Sequence, residues 1–170
     1  MAESLLMTLR ARIILVAFLT VGVVLGNRLF SRQQTPEEHG LAIWRGMDQA
    51  ILVVDNGHGK TRRLEVRVAD DSAERGQGMQ YLPADTIRAN PIWFVFPDER
   101  TAGWHMSNVS LALDIAFVGA GGRVIAVQRM EPGHGGYGID RPIRYALEVA
   151  AGRADDLHIH PGTRLRLAGD

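Results

Sequence analysis

The chain has 170 residues, 19 of them basic and 19 acidic, and no cysteine. That length holds one domain plus a tail. Zero net charge argues against a general electrostatic grip on nucleic acid, and the missing thiols exclude disulfides, thiolate metal sites and a cysteine nucleophile.

Near the N-terminus, Arg10 and Arg12 precede an uncharged apolar run, Ile13 to Asn27, which Arg28 and Arg32 follow. A helix of that length reaches about 22 Å, short of a hydrocarbon core of about 30 Å. The run reads as the hydrophobic region of a signal peptide, with Val24-Leu25-Gly26 as a cleavage site, or as an uncleaved signal anchor with snorkelling arginines. A buried soluble helix fits less well, because the run has no polar face. Residues 1–27 are therefore expected to bring the chain to a membrane, and the remainder to lie outside the cytoplasm. No cysteine follows the run, which excludes a lipoprotein anchor. Residues 28–40 are polar and turn-rich and read as a linker, and the folded domain is expected over 41–167.

Within the domain the local signals are mostly β. Strands are expected at 49–54 and 61–68 around Asp55-Asn56-Gly57, where Asn-Gly supplies the positive φ of a hairpin and His58-Gly59 lengthens its loop. Leu64, Val66 and Val68 alternate with Arg63, Glu65 and Arg67, as in a strand with one wet face. Asp71 and Glu74 have the spacing of a capping box, which starts a helix toward Met79 that Gly76 and Gly78 weaken. A short apolar strand follows over 91–96. A second hairpin spans 111–130 and turns at Ala120-Gly121-Gly122, and further strands are expected at 144–150 and 163–167. The stretch 150–157 suits a short turn of helix. Many short strands with Gly and Pro punctuation point to a mainly β fold, a sandwich or barrel with one or two short helices.

Several motifs in these residues fall into a familiar order: "GMQ" at 78–80, "IWFVF" at 92–96, "HMSNV" at 105–109, "ALDIAF" at 112–117, "ALEVAAG" at 146–152 and "HPGTRL" at 160–165. Together they resemble the DUF192 (UPF0127) family, small bacterial and archaeal domains without an assigned activity, over residues 64–167. Ser107, Val109 and Ala112 stand where the family has Lys, Thr and Pro, so a ligand site that used that Lys would be altered here. The resemblance implies a mostly β, sandwich-like domain, often behind an export signal, and no reaction.

Candidate chemistry is sparse. "GHGGYG" at 133–138 matches Gly-x-Gly-x-x-Gly, but a dinucleotide site needs a helix opening at the last glycine and Pro142 with strand-like residues follows instead. It reads as a flexible surface loop in which His134 and Tyr137 can rim a site. His158 and His160 would share one face of a strand, a spacing metal sites use, but no third ligand is specified. No metal or cofactor is expected. Ser107 or Ser110 with His105 and Asp114 have the residue types of a hydrolytic triad, without the Gly-x-Ser-x-Gly elbow. Trp93, Trp104, Phe94, Phe96 and Tyr81 form either a sugar-stacking platform or core. By default the arginines form a solvated face, with Arg144 or Arg75 available to pair a carboxylate.

Asp114 stands out because it sits in an apolar strand. Leu111, Leu113, Ile115 and Phe117 should face the core, and Ala112, Asp114, Ala116 and Val118 the other side. A carboxylate there needs hydrogen bonds or a cation. Either it accepts from the 105–110 turn or from an arginine and fixes the fold, or it lies in a ligand cleft with Asn108, His105, Trp104 and Met106. The reading is an exported or membrane-tethered module of a bacterial envelope that binds a small ligand or an envelope protein and no nucleic acid. A small envelope hydrolase acting on a polar or glycan substrate is the alternative.

Overall fold

The computed structural model describes residues 34–57, 59 and 61–169; the apolar run at 13–27 lies outside them, as do His58 and Lys60. Among the described residues no helix is long and apolar enough to cross a membrane.

A helix over Pro36–Gly46, α1, begins inside the stretch read as linker. Its start carries recognisable signals, with Pro36 at the first helical position and Glu37 and Glu38 in the first turn, where the helix dipole favours acids. Strands β1 (Asp48–Asp55) and β2 (Thr61–Ala69) form the expected antiparallel hairpin, and Asp55 Oδ1 accepts from the Gly57 N–H at 2.9 Å. The capping box at Asp71 and Glu74 opens α2 (Ser72–Gln77). The helix stops at Gly78, short of Met79, because Gly78 adopts φ 47°, ψ −131°, which glycine tolerates best. A further short helix, α3 (Ala84–Ala89), was not foreseen from the sequence. There follow β3 (Ile92–Arg100), β4 (Gly103–His105), β5 (Leu113–Val118), β6 (Val124–Met130), β7 (Gly135–Gly138), β8 (Ile143–Ala150), α4 (Arg153–Asp156) and β9 (Arg164–Leu167).

Seven strands form one sheet in the order β6-β5-β8-β3-β2-β1-β9, with β2 and β3 parallel. The sheet curls until its edges meet. Leu165 N–H donates to the Gly122 carbonyl at 2.7 Å, Val124 N–H to the Thr163 carbonyl at 2.9 Å, and Arg123 bridges Arg164. This seam closes a barrel, which removes the exposed sheet edges that an open sandwich would leave.

Closure produces two apolar layers. Leu52, Val54, Val66, Trp93, Leu147 and Leu165 fill the barrel interior. On the opposite face of β3, β5 and β8, Ile92, Phe94, Ile115, Phe117 and Ala146 pack under Met79, Leu82 and Met106. Strand β5 is therefore buried on both faces, the Leu113, Ile115 and Phe117 face under the outer layer and the Asp114, Ala116 and Val118 face on the other side. Its neighbours β6 and β8 pair along its whole length, so neither edge nor face meets water.

Two further expectations need correction. The glycine-rich stretch 133–138 is not a free loop, because Gly135–Gly138 pairs with β4 in a small two-stranded sheet. A Cβ on Gly138 would stand 2.9 Å from the Ala102 carbonyl oxygen, so the close approach of these strands requires glycine. His158 and His160 do not share a strand face. His158 adopts a left-handed φ of 57° in the turn before β9, and both rings are exposed. Among the described residues no group of three His, Asp or Glu could hold a metal ion.

Candidate functional site

The barrel's covered outer face carries a second acid in an apolar strand. On β8, Glu148 pairs with Ile92 of β3 on one side and Ile115 of β5 on the other. Alternation sends Leu147 and Val149 into the barrel and leaves Ala146 and Glu148 on the outer face. Glu148 is only 5% exposed, and its Oε2 has no hydrogen-bond partner among the described residues. Burial pushes its pKa up to about 8, partly offset by hydrogen bonding from the Trp104 indole. At neutral pH the group is a neutral carboxylic acid.

Above Glu148 lies a pocket of about 230 Å³, open to solvent. Phe94 and Phe96 of β3 and Trp104 of β4 provide aromatic walls, and the backbone from Gly76 to Gln80 forms the roof. Trp104 stands edge-on to Phe94, Phe96 and Phe117, with centroids 6.1, 6.0 and 5.4 Å away. These three contacts hold the indole upright over the sheet. The roof is held by Gln77, whose Nε2 donates to the Gln80 carbonyl at 2.5 Å, and by Gln80 Nε2, which donates to the Gly76 carbonyl at 2.9 Å. Gly78 leaves room in front of the acid: a Cβ there would lie 3.8 Å from Glu148 Oε2 and 3.6 Å from the Phe94 ring. Arg75 stands at the wall, with Nη1 donating to the Asp70 and Val95 carbonyls and the guanidinium over Phe96.

The residues singled out in the sequence are distributed around this pocket. Trp104 and His105 line it. Asn108, with φ 60°, anchors the roof from outside: its Nδ2 donates to Gln80 Oε1 at 3.3 Å and its carbonyl accepts from Tyr81 N–H at 2.8 Å. Met106 is buried in the outer layer, 1% exposed. Among the described residues Ser107 meets His105 through its backbone N–H, which donates to Nδ1 at 3.3 Å, and not through its hydroxyl.

Asp114 is not among the pocket's lining residues. Its Oδ1 accepts from Arg129 Nε at 2.5 Å, directly across β5 and β6. Its Oδ2 accepts from the N–H groups of Gly152 at 2.7 Å and Ala154 at 3.3 Å. The carboxylate therefore ties α4 to the sheet. The bond to Asp114 also raises the Arg129 pKa above its ordinary value, against a smaller opposing effect of burial. An arginine answers it, as expected, but that arginine is Arg129 rather than Arg75 or Arg144, and the backbone donors belong to Gly152 and Ala154 rather than to the 105–110 turn. The hairpin expected over 111–130, turning at 120–122, holds the signal for Arg129, because folding it about that turn sets Asp114 opposite residues 128–129. Glu148 carries the same signal in the sequence as Asp114, since "ALEVA", like "ALDIA", sets an acid in the middle of an apolar strand.

A search of curated proteins finds no match. Among solved structures, a protein from Sinorhizobium meliloti 1021 described as a candidate transcription regulator is 28% identical, with a TM-score of 0.65, and the match covers 73% of this chain and 97% of that one. A protein of unknown function from Novosphingobium aromaticivorans, 24% identical, shares the fold with a TM-score of 0.64 over 71% of this chain and 86% of its own. The family model DUF192, Uncharacterized ACR, matches residues 53–167, from the first hairpin to the last strand. The chain belongs to the DUF192 family.

Proposed function

We propose that this chain is a ligand-binding accessory module of a bacterial envelope, exported or tethered by its N-terminal run, which holds a small molecule in the Glu148 pocket. The observation that carries this reading is the buried Glu148 oxygen with no partner, facing a pocket with three aromatic walls. An unmet buried polar atom costs roughly 1–3 kcal/mol, which folding alone would have no reason to retain. A ligand that satisfies it recovers that energy on binding. The hydrolase reading draws on the same acid, since a carboxyl protonated at neutral pH is suited to general acid work. Yet Glu148 is the sole acid lining the pocket, and glycoside hydrolysis needs a second carboxylate. For nucleic acid, zero net charge supplies no general grip.

Binding is tested with benzyl alcohol as a neutral probe, followed by the Trp104 indole N–H resonance, which a Trp104→Phe variant identifies. A saturable shift is expected; an indole signal unmoved at tens of millimolar probe would overturn the pocket reading. Export is tested by fusing, after residue 40, a reporter enzyme active only outside the cytoplasm. Activity is expected, and retention in the cytoplasm would sink the envelope assignment.

A further inference from the structure

The pocket presents charge as well as aromatic surface. Arg75 is fixed by two backbone carbonyls on Nη1, the Val95 carbonyl at 2.9 Å, and by its stacking over Phe96, 5.7 Å from the ring centroid. The remaining N–H groups of its fork, on Nε and Nη2, have no hydrogen-bond partner among the described residues. A guanidinium held in place with donors to spare is preorganised for a planar anion such as a carboxylate. The carboxyl of Glu148, which lines the same pocket, lacks a partner on Oε2. The volume of about 230 Å³ lies below the roughly 300–1,000 Å³ of pockets for drug-sized ligands, so the occupant is small.

Resting on the pocket reading, we infer that the ligand is a small organic carboxylate with a second oxygen. Its carboxylate sits on the Arg75 fork, its apolar body lies against Phe94, Phe96 and Trp104, and its hydroxyl or carbonyl oxygen accepts from Glu148. An amine ligand is disfavoured by the same geometry. A cation entering this pocket meets the guanidinium of Arg75 on the wall.

Protonation of Glu148 sets the pH dependence. Arg75 from α2 and His105 from β4 are the charged or titratable groups that line the pocket with it, while β3 and β5 present Ile92, Phe94 and Ile115 beside it. With its pKa near 8, Glu148 donates at pH 7 and is ionised at pH 9. An anion bound against it is then both repelled and deprived of a donor.

The test is calorimetric titration of the whole chain with 4-(hydroxymethyl)benzoate, 4-(hydroxymethyl)benzylamine and benzyl alcohol at pH 7 and pH 9, repeated in His105→Gln to remove the second titrating group. At pH 7 the acid should bind at least about 10-fold tighter than the amine. Its affinity should fall about 10-fold by pH 9, one unit above the Glu148 pKa, and Glu148→Gln should flatten that fall because an amide donates at both pH values. Arg75→Met should weaken the acid much more than benzyl alcohol, and Arg75→Lys should recover part of the acid's loss. An amine that binds as tightly as the acid, or an acid affinity that ignores pH, overturns the carboxylate assignment. So does an acid that binds no better than benzyl alcohol. In each of these cases saturable binding of benzyl alcohol leaves the pocket reading standing, and failure of all three probes removes both.

Discussion

Two acids in apolar strands divide the work of this domain. Asp114 is answered by Arg129 and by two backbone N–H groups, and Glu148 is left with an open oxygen. Their variants should separate accordingly. Asp114→Asn keeps the shape, loses the charge pair and points an amide at the Gly152 and Ala154 donors, so it should destabilise by roughly 1–3 kcal/mol in denaturant unfolding. Glu148 behaves oppositely. Its folded pKa of about 8 lies above its ordinary 4.5, so between those values the folded state holds a proton that the unfolded state has released. Stability contributed by this group is therefore present below about pH 4.5, falls as pH rises through the window, and is lost above about 8. At about 1.4 kcal/mol per pKa unit the loss is roughly 3–5 kcal/mol. Glu148→Gln should remove that slope and be more stable than the parent at pH 9; an unchanged difference between the two proteins from pH 5 to pH 9 would contradict the burial argument.

At the scale of elements, glycines let two pieces approach the pocket. Gly138 of β7, at φ 153°, exchanges two hydrogen bonds with the Gln128 side chain and packs under the Ala102 carbonyl. Gly138→Ala forces its Cβ against backbone, so it should unpair β4 from β7, free Trp104 and lower the stability of the domain by about 1–3 kcal/mol. Amide exchange at Gly103–His105 should speed up more than at β1. On α1, a Cβ on Gly40 would lie 2.8 Å from Gln77 Nε2, the atom that holds the roof to Gln80. Gly40→Ala should displace that flexible amide at little cost to stability while shifting the Gln80 and Trp104 resonances. The strand β7 was hidden in the sequence because "GHGGYG" has no side-chain alternation to read. Its pairing with β4 comes from steric access, which only the fold supplies. The helix α1 was hidden for another reason: its polar composition looks like a tether, and its burial of Trp44 against the domain is a tertiary matter.

For the whole molecule, the decisive feature is the seam between Gly122–Val124 and Thr163–Leu165. A Cβ on Gly122, at φ 72°, would stand 2.6 Å from the Leu165 carbonyl oxygen, where no side chain can yield. Gly122→Ala should therefore open the barrel at its closing edge. Unfolding should remain a single transition, with a midpoint lowered by several degrees, since strain of about 1–3 kcal/mol acts on one cooperative unit. A second, separate transition would show that the β9 edge is independent of the rest.

The sequence by itself determined the local alphabet of this protein. Alternating residues at 61–69, Asn-Gly at 56–57 and the capping box at Asp71 are signals between near neighbours, and each produced its element. The ordered motifs from Gly78 to Leu165 likewise carried the family and the β class. Tertiary structure decided what the acids do. Asp114 and Glu148 have the same surroundings in sequence, small or apolar residues on a strand. Their fates differ because Asp114 faces α4 and Arg129 across the sheet, whereas Glu148 faces a gap left by Gly78. Arg129 comes opposite Asp114 through the β5–β6 hairpin, but Gly152, Ala154 and Gly78 lie far along the chain from the acids they face, and the pairing of β8 with β5 and the packing of Gly78 over β8 are properties of no single segment.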